Sequence, residues 1–374
     1  EAQAQIPPLQ LILAEEGRAE GAVCLDGSAP GFYYRKGYGS GENNWVLFFE
    51  GGAWCASPHA CAHRARTHRG STEHARSVAE MLDKEKGGMN GMLSFNKTVN
   101  PAFYNWNAVY FIYCDGGSFS GNQDEPIHFN GIPLYVRGRR VAELLLRVLM
   151  EKKGLDRADR VVVSGSSAGG VAALLHCDRV RDTLTAASPS MHVRCLADAS
   201  MFLDVPDVNN TRRVANFFAQ VKDMHNLTAS LPAACVQERE PENHHQCFMA
   251  NHIVQHVTTP LFLINSNYDK VAMRAIATPQ LLDTGIISEA NLPPDCFNHV
   301  SKCTDAEKRV IEDFRKGVAS AAAPLLHTDP PSATSSSPSS PHSTPANAAF
   351  LFSCFQHGSI HSDMPWTVRT AKGV

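Results

Sequence analysis

The run Arg160-Val161-Val162-Val163-Ser164-Gly165-Ser166-Ser167-Ala168-Gly169-Gly170-Val171-Ala172-Ala173-Leu174-Leu175 passes from a β-branched strand, through small residues, into a helix-forming segment. Strand, sharp turn and helix in that order frame a nucleophile elbow, with Ser167 at the centre of Gly165-Ser166-Ser167-Ala168-Gly169. Small flanking residues give a strained turn room, and the following helix directs its amino-terminal dipole at a developing negative charge. Ser166 is out of frame. The pattern nominates Ser167 as a nucleophile, against the plainer reading of a glycine-rich turn.

On either side of this run, short apolar segments rich in β-branched and aromatic residues fall at 45–49, 109–113, 261–265 and 349–354. With 160–164 they are the predicted strands. Val141, Leu144, Leu145, Val148 and Leu149 recur at i, i+3, i+4, i+7 and i+8 and predict an amphipathic crossover helix between the second and third of them. Strand, helix, strand implies parallel pairing. The expected fold is therefore α/β: α/β-hydrolase-like, with a mostly parallel central sheet and helices on both faces, its ligands bound at the carboxyl ends of the strands.

A tetrahedral oxyanion needs preorganised donors from the residue after the nucleophile, here Ala168, and from a loop after an earlier strand. Gly51, Gly52 and Ala53 follow the predicted strand 45–49 and are small enough for their N–H groups to approach a carbonyl; an ordinary glycine turn is the alternative. In the chain order of this fold the acid and base come later, each after a strand. Asp269 and His357 meet that test. Asp198, Asp204, His299, His327, His342 and His361 also follow Ser167 and compete with them.

A chain of 374 residues, 43% of them hydrophobic, can bury a large core as one large α/β domain or two smaller ones, and a single esterase domain over 1–374 is the expectation. A formal net charge of -3 shows no basic excess, so nucleic acid is not an expected partner. No apolar run approaches the roughly eighteen residues of a membrane span. The chain opens at Glu1 without a charged-then-apolar leader, as expected of a mature chain whose signal peptide is gone.

Eleven cysteines are many for a reducing compartment, and the proximity of Cys55 to Cys61, Cys235 to Cys247 and Cys296 to Cys303 points to disulfides and secretion. The odd count leaves one thiol over. Sequons at Asn96, Asn209 and Asn226 agree weakly. His244, His245, Cys247, His252 and His256 lie close together, but without a His-Glu-x-x-His pattern or a CxxC pair they read as solvent-facing histidines beside a disulfide, and no metal is expected. From about 324 to 347 the composition turns to Ser, Pro, Thr and Ala, the signature of a flexible insert.

At a larger scale the sequence resembles the pectin acetylesterases, a family related to the Notum carboxylesterases. Ala22-Val23-Cys24-Leu25-Asp26-Gly27-Ser28, Glu50-Gly51-Gly52-Ala53-Trp54-Cys55, Tyr113-Cys114-Asp115-Gly116, the Ser167 elbow, Leu196-Ala197-Asp198, Tyr268-Asp269 and Ser353-Cys354-Phe355-Gln356-His357 match family segments in the family's order. The resemblance implies Ser167 as nucleophile, Asp269 as acid and His357 as base, with Gly52, Ala53 and Ala168 as oxyanion donors and no cofactor. It implies a secreted carboxylic ester hydrolase that removes acetyl groups from an extracellular, pectin-like polysaccharide.

Departures from the plant-like pattern fall at Ala53, Ser166 and Gly358, where that pattern has glycine, cysteine and cysteine. Two other readings stand beside the first. One is a Notum-like enzyme removing a fatty acyl group from a protein, which requires a deep apolar pocket; the other is a noncatalytic secreted binding protein, whose signature would be a missing triad residue.

Overall fold

The computed structural model of the protein describes residues 6–83, 88–277, 296, 300–326 and 347–360. Ten strands run in chain order: β1 (Gln10–Leu13), β2 (Gly31–Arg35), β3 (Asn44–Phe49), β4 (Asn107–Phe111), β5 (Ile127–Phe129), β6 (Ile132–Leu134), β7 (Arg160–Ser166), β8 (His192–Asp198), β9 (Leu261–Ser266) and β10 (Ala348–Phe352). Eight of them form one sheet in the order β1-β2-β4-β3-β7-β8-β9-β10, and β5 and β6 make a separate hairpin.

From β4 to β10 every neighbouring pair is parallel, while β1 and β2 join antiparallel at one end. Parallel pairing is what gathers a site here, because every strand from β4 to β10 then delivers its carboxyl end to the same edge. The register is tight at that edge. Phe49 pairs with Gly165, Ser166 with Asp198, and Phe352 with Ser266.

Each predicted strand lies within or overlaps an observed one, although the second runs over 107–111 rather than 109–113 and the last stops at Phe352. The predicted crossover helix is Gly138–Lys153, and Val141, Leu144, Leu145, Val148 and Leu149 are all buried on its inner face. Each such side chain removed from water contributes about 1.5–3 kcal/mol. Gly154, left-handed at φ 87°, ends this helix.

The strands are buried on both faces. One face, with Trp45, Leu47, Phe49, Val161 and Val163, packs against the long helices Gly138–Lys153, Ala168–Ala187, Arg213–His225 and Asp305–Leu326. Val46, Phe48, Ala108, Tyr110, Leu196 and Ile264 point the other way, where the short helix Val78–Leu82 and the turn after it supply Met81, Met89, Met92 and Leu93.

Five disulfides bind the chain: Cys24–Cys114, Cys55–Cys61, Cys177–Cys195, Cys235–Cys247 and Cys296–Cys303; Cys354 is the exposed thiol left over. Three of these are the close pairs noted in the sequence. Cys24–Cys114 spans 90 residues, and chain entropy alone assigns such a closure about 4–5 kcal/mol. The Ser and Pro insert expected from about 324 starts inside a helix, since Pro324 belongs to Asp305–Leu326; residues 327–346 lie outside the described residues.

Candidate active site

Ser167 sits where β7 ends and the Ala168–Ala187 helix begins, at φ 61° and ψ -127°. A non-glycine residue rarely occupies that region, and such strain persists only where surrounding structure enforces it. Here the backbone N–H of Ser167 donates to the carbonyl of Asp198, and its carbonyl accepts from Val171 N. The hydroxyl makes no capping bond to the helix. Glycines at 165 and 169 are obligatory, because a Cβ at either would collide with backbone carbonyls, that of Gly169 for Gly165 and that of Phe49 for Gly169.

The loop after β3 meets this turn directly, and a Cβ on Gly51 would lie 3.2 Å from Ser167 Cβ. Gly52 at φ 142° and Ala53 at φ 57° occupy the left-handed half of backbone space, which is costly for alanine. Their positions are fixed from below. Arg64, buried and stacked 4.5 Å from the Tyr113 ring centroid, donates to Gly52 O at 2.8 Å and to Arg69 O at 2.8 Å.

In a planar trans peptide, holding a carbonyl aims the next residue's N–H the opposite way. Arg64 on Gly52 O therefore orients the Ala53 N–H, and Val171 N on Ser167 O orients the Ala168 N–H. Among the described residues no protein acceptor meets the N–H groups of Gly52, Ala53 or Ala168. Tyr113 OH donates to Ala53 O at 2.8 Å, and Ser118 Oγ donates to Ala168 O at 2.7 Å while accepting from Trp54 Nε1 at 2.8 Å. Burial pushes the Tyr113 phenol up and the Arg64 guanidinium down.

Glu50 secures the start of the same loop by accepting from Tyr113 N at 2.9 Å and from Arg76 at 3.0 Å. Behind it lies a turn held by the buried Asp115, which accepts from Gly117 N and Phe119 N; burial raises that carboxyl to about 6. His225 Nε2 donates to Cys55 O at 2.8 Å, and His176 contacts Ser120 Oγ at 3.3 Å. Both rings are buried, which lowers His225 to about 4 and His176 to about 3.

At the far strands Asp269 and His357 come together. His357 Nδ1 lies 2.9 and 2.8 Å from the two carboxylate oxygens of Asp269, whose Oδ1 also accepts from Val271 N and Ala272 N at 3.0 Å each. The carboxylate is thus pinned at the start of the Lys270–Ala277 helix. Asp269 is buried, whereas Ser167 and His357 are half-exposed.

Asp198, a competing acid in the sequence, faces other partners. It ends β8, and its carboxylate accepts from Ser166 Oγ at 2.7 Å, Ser359 N at 2.8 Å and Ser359 Oγ at 2.8 Å. It joins the turn before Ser167 to the loop after His357. Asp204 pairs with Arg212 at 2.7 Å, away from this cluster, and His299, His327, His342 and His361 lie outside the described residues.

Sequence reading missed Asp198 as a tie, Arg64 as a brace and β8 as a strand. Only β8 carried a usable signal, the alternation of exposed His192 and Arg194 with buried Val193 and Cys195. Of the histidine group, Cys247 is in a disulfide and His244, His245, His252 and His256 are half-buried rather than solvent-facing. His252 and His256 do not share a helical face, because the helix there is only Ala250–Ile253. The one potential metal cluster among the described residues, Cys55, Cys61 and His225, has both cysteines in a disulfide.

The family model described as Pectinacetylesterase matches residues 2–373. The chain belongs to the pectinacetylesterase family. "Pectin acetylesterase 7" of Arabidopsis thaliana is 34% identical over 349 residues, covering 93% of this chain and 80% of the relative. A second relative from that plant, "Pectin acetylesterase 11", is 33% identical over 94% of this chain. The pectinacetylesterase chain is also 29% identical to the "Palmitoleoyl-protein carboxylesterase NOTUM" of Schmidtea mediterranea, over 69% of this chain and 48% of that one. In fold it is similar to the solved structure of the Wnt deacylase Notum from Drosophila, with a TM-score of 0.71 at 23% identity, covering 96% of this chain and 87% of the other. The α/β-hydrolase-like fold and the class of carboxylic ester hydrolase go with that membership.

Proposed function

We propose that this protein is a secreted serine esterase that removes acetyl groups from a pectin-like polysaccharide, acting as one domain whose sheet draws strands from residue 10 to residue 352. The Ser167 oxygen attacks the ester carbonyl while His357 takes its proton. Asp269, held on His357 Nδ1, fixes the tautomer and stabilises the imidazolium. The tetrahedral oxyanion is met by the N–H groups of Gly52, Ala53 and Ala168. His357 then protonates the departing sugar oxygen, freeing the sugar hydroxyl, and water, its proton taken by His357, releases acetate from the acyl-enzyme. Five disulfides support an oxidising, extracellular setting, and the three sequon asparagines are exposed.

The observation that carries the acetyl reading is the aromatic wall beside the triad. Trp54 packs edge-on at 4.9 Å against both Phe202 and Phe218, Phe248 backs Phe218 at 5.5 Å, and Phe202 lies 6.1 Å from His357, between ring centroids. All four aromatic side chains are buried. Closely packed buried rings beside His357 support a short acyl group over the fatty acyl of the Notum-like reading.

Hydrolysis of 4-nitrophenyl acetate, octanoate and palmitate by wild type and Ser167→Ala tests both parts. Acetate should be cleaved best, and Ser167→Ala should lower kcat on the order of a million-fold, as removal of a triad nucleophile does. A preference for palmitate overturns the acetyl assignment. Equal activity of mutant and wild type overturns the Ser167 mechanism.

A further inference from the structure

The loop that follows the proposed oxyanion strand carries a charge the mechanism above does not use. Residues 63–76 read His63-Arg64-Ala65-Arg66-Thr67-His68-Arg69-Gly70-Ser71-Thr72-Glu73-His74-Ala75-Arg76, four arginines against one glutamate in a chain whose net charge is -3. Two of the arginines are committed, Arg64 beneath Gly52 and Arg76 to Glu50. Arg66 and Arg69 are exposed, and among the described residues neither guanidinium has a hydrogen-bond acceptor or an ion pair.

Arg69 is the one placed at the reaction. Its side chain lies along Gly52, so closely that a Cβ there would stand 2.6 Å from Arg69 Nε and 2.7 Å from Cδ. Glycine at 52 is required by φ 142°, and a Cβ there would push the Arg69 side chain aside. The backbone of Arg69 is not loose either, since Arg64 Nε donates to its carbonyl at 2.8 Å while the same guanidinium holds Gly52 O. One buried side chain thus sets the base of Arg69 and the oxyanion loop in a common frame. Gly51 lies against Ser167, neighbouring Cα atoms are about 3.8 Å apart, and these steps in series put the Arg69 guanidinium within roughly 13 Å of the Ser167 side chain.

We infer that Arg69 is a specificity-determining residue that binds a sugar carboxylate beside the acetyl ester, so that the enzyme selects acetylated polyuronate over acetylated neutral glycan. The inference rests on the acetylesterase reading above and deepens it. An exposed, rigidly based guanidinium offers a planar fork matched to a carboxylate. Its distance from Ser167 corresponds to the carboxylate of the esterified sugar or of its neighbour in the chain. The local excess of positive charge, set in an overall acidic protein, draws a polyanion to this side of the cleft.

The test compares kcat/KM of wild type, Arg69→Gln and Arg69→Lys on acetylated polygalacturonate, on the same polymer with its carboxylates methyl-esterified, on acetylated xylan and on 4-nitrophenyl acetate. For Arg69→Gln the ratio of polygalacturonate to 4-nitrophenyl acetate should fall about ten-fold or more, chiefly through KM, with Arg69→Lys between the two. Methyl-esterifying the polymer should bring wild type down to the level of Arg69→Gln and leave that variant's rate on it nearly as before. If Arg69→Gln lowers all four substrates alike, or retains the wild-type preference for the free carboxylates, Arg69 does not read them and the inference fails while the acetylesterase reading stands. If wild type cleaves 4-nitrophenyl acetate but neither pectin polymer, both fail.

Discussion

On one side of the cleft, Gly52 and Ala53 are held by partners close in sequence: Arg64 and the Cys55–Cys61 disulfide follow within a dozen residues. On the other side, His357 reaches the same edge from 190 residues beyond Ser167, with neither a disulfide nor a long helix among the described residues of its own loop. Its loop is tied through side chains at the ends of two other strands, β8 and β9. Asp198 takes Ser359, Asp269 takes His357, and Ser266 accepts Tyr268 N while donating to Cys354 O. The Gly52 side, proposed to hold the oxyanion, is thus a local, cross-braced construction, and the His357 side, proposed to supply the base, is a tertiary one that exists only when β8, β9 and β10 are in register.

That difference sets where each side is vulnerable. Asp198→Asn removes one acceptor of the tie between Ser166 and Ser359, and a buried donor left without its partner costs about 1–3 kcal/mol. Displacement of His357 by an ångström costs up to about 100-fold in rate, so kcat on 4-nitrophenyl acetate should fall about 10- to 100-fold with KM little changed. Stopped-flow acylation of the variant, with folding checked by near-ultraviolet circular dichroism, measures this. A kcat within about two-fold of wild type, an effect of no more than about 0.4 kcal/mol, would break the comparison, because the base side would then hold itself.

Opening the other side should act on stability rather than on rate. Cys55→Ser with Cys61→Ser releases a short loop, separation 6, whose closure entropy corresponds to about 2 kcal/mol. Urea unfolding should show that loss, while kcat of the folded variant stays within about three-fold, because Arg64 still holds Gly52 O and Arg69 O. A large fall in kcat instead would mean that the disulfide, and not the arginine, sets the oxyanion loop.

The smallest effect is in pH, and its sign follows from three buried groups behind the oxyanion side. His225 and His176 are lowered to about 4 and about 3 by burial, so their stabilising contribution is present above the unfolded value near 6.5 and is lost as pH falls towards those values. Asp115, raised to about 6, works the other way, its contribution being present below the unfolded carboxyl value and lost as pH rises through about 6. Two histidines against one aspartate give a slope with stability falling towards acid between about pH 4 and 6, and His68 and His252, both lowered by burial, act in the same direction. Urea midpoints at intervals from pH 4.5 to 7.5 should follow it. His225→Gln should flatten the slope, and an unchanged slope would place the acid sensitivity elsewhere.

Much of the fold was legible because it is carried by short-range pattern. The stripe from Val141 to Leu149, the β-branched run at 160–163 and the turn around Ser167 each specify their own local conformation, and parallel pairing follows from strand, helix and strand in succession. Asp269 and His357 could be nominated because each follows a strand, but order alone kept Asp198, which also follows the nucleophile, as a rival. Nothing in the spacing of Asp198 says that it faces Ser166 and Ser359 rather than an imidazole.

β1 and β2 escaped because four- and five-residue strands at the antiparallel end have little periodicity to read. Arg64 escaped because an arginine in a basic stretch looks solvated until Tyr113 and Gly52 are seen around it. The sequence by itself determined the elbow, the crossover helix and the family, since these rest on neighbours within a few residues and on segments in a fixed order. Only the tertiary structure decided which carboxylate meets His357, which arginine is buried under the oxyanion loop and which stays free beside it. Those depend on sheet register and on burial, and both arise between residues far apart in the chain.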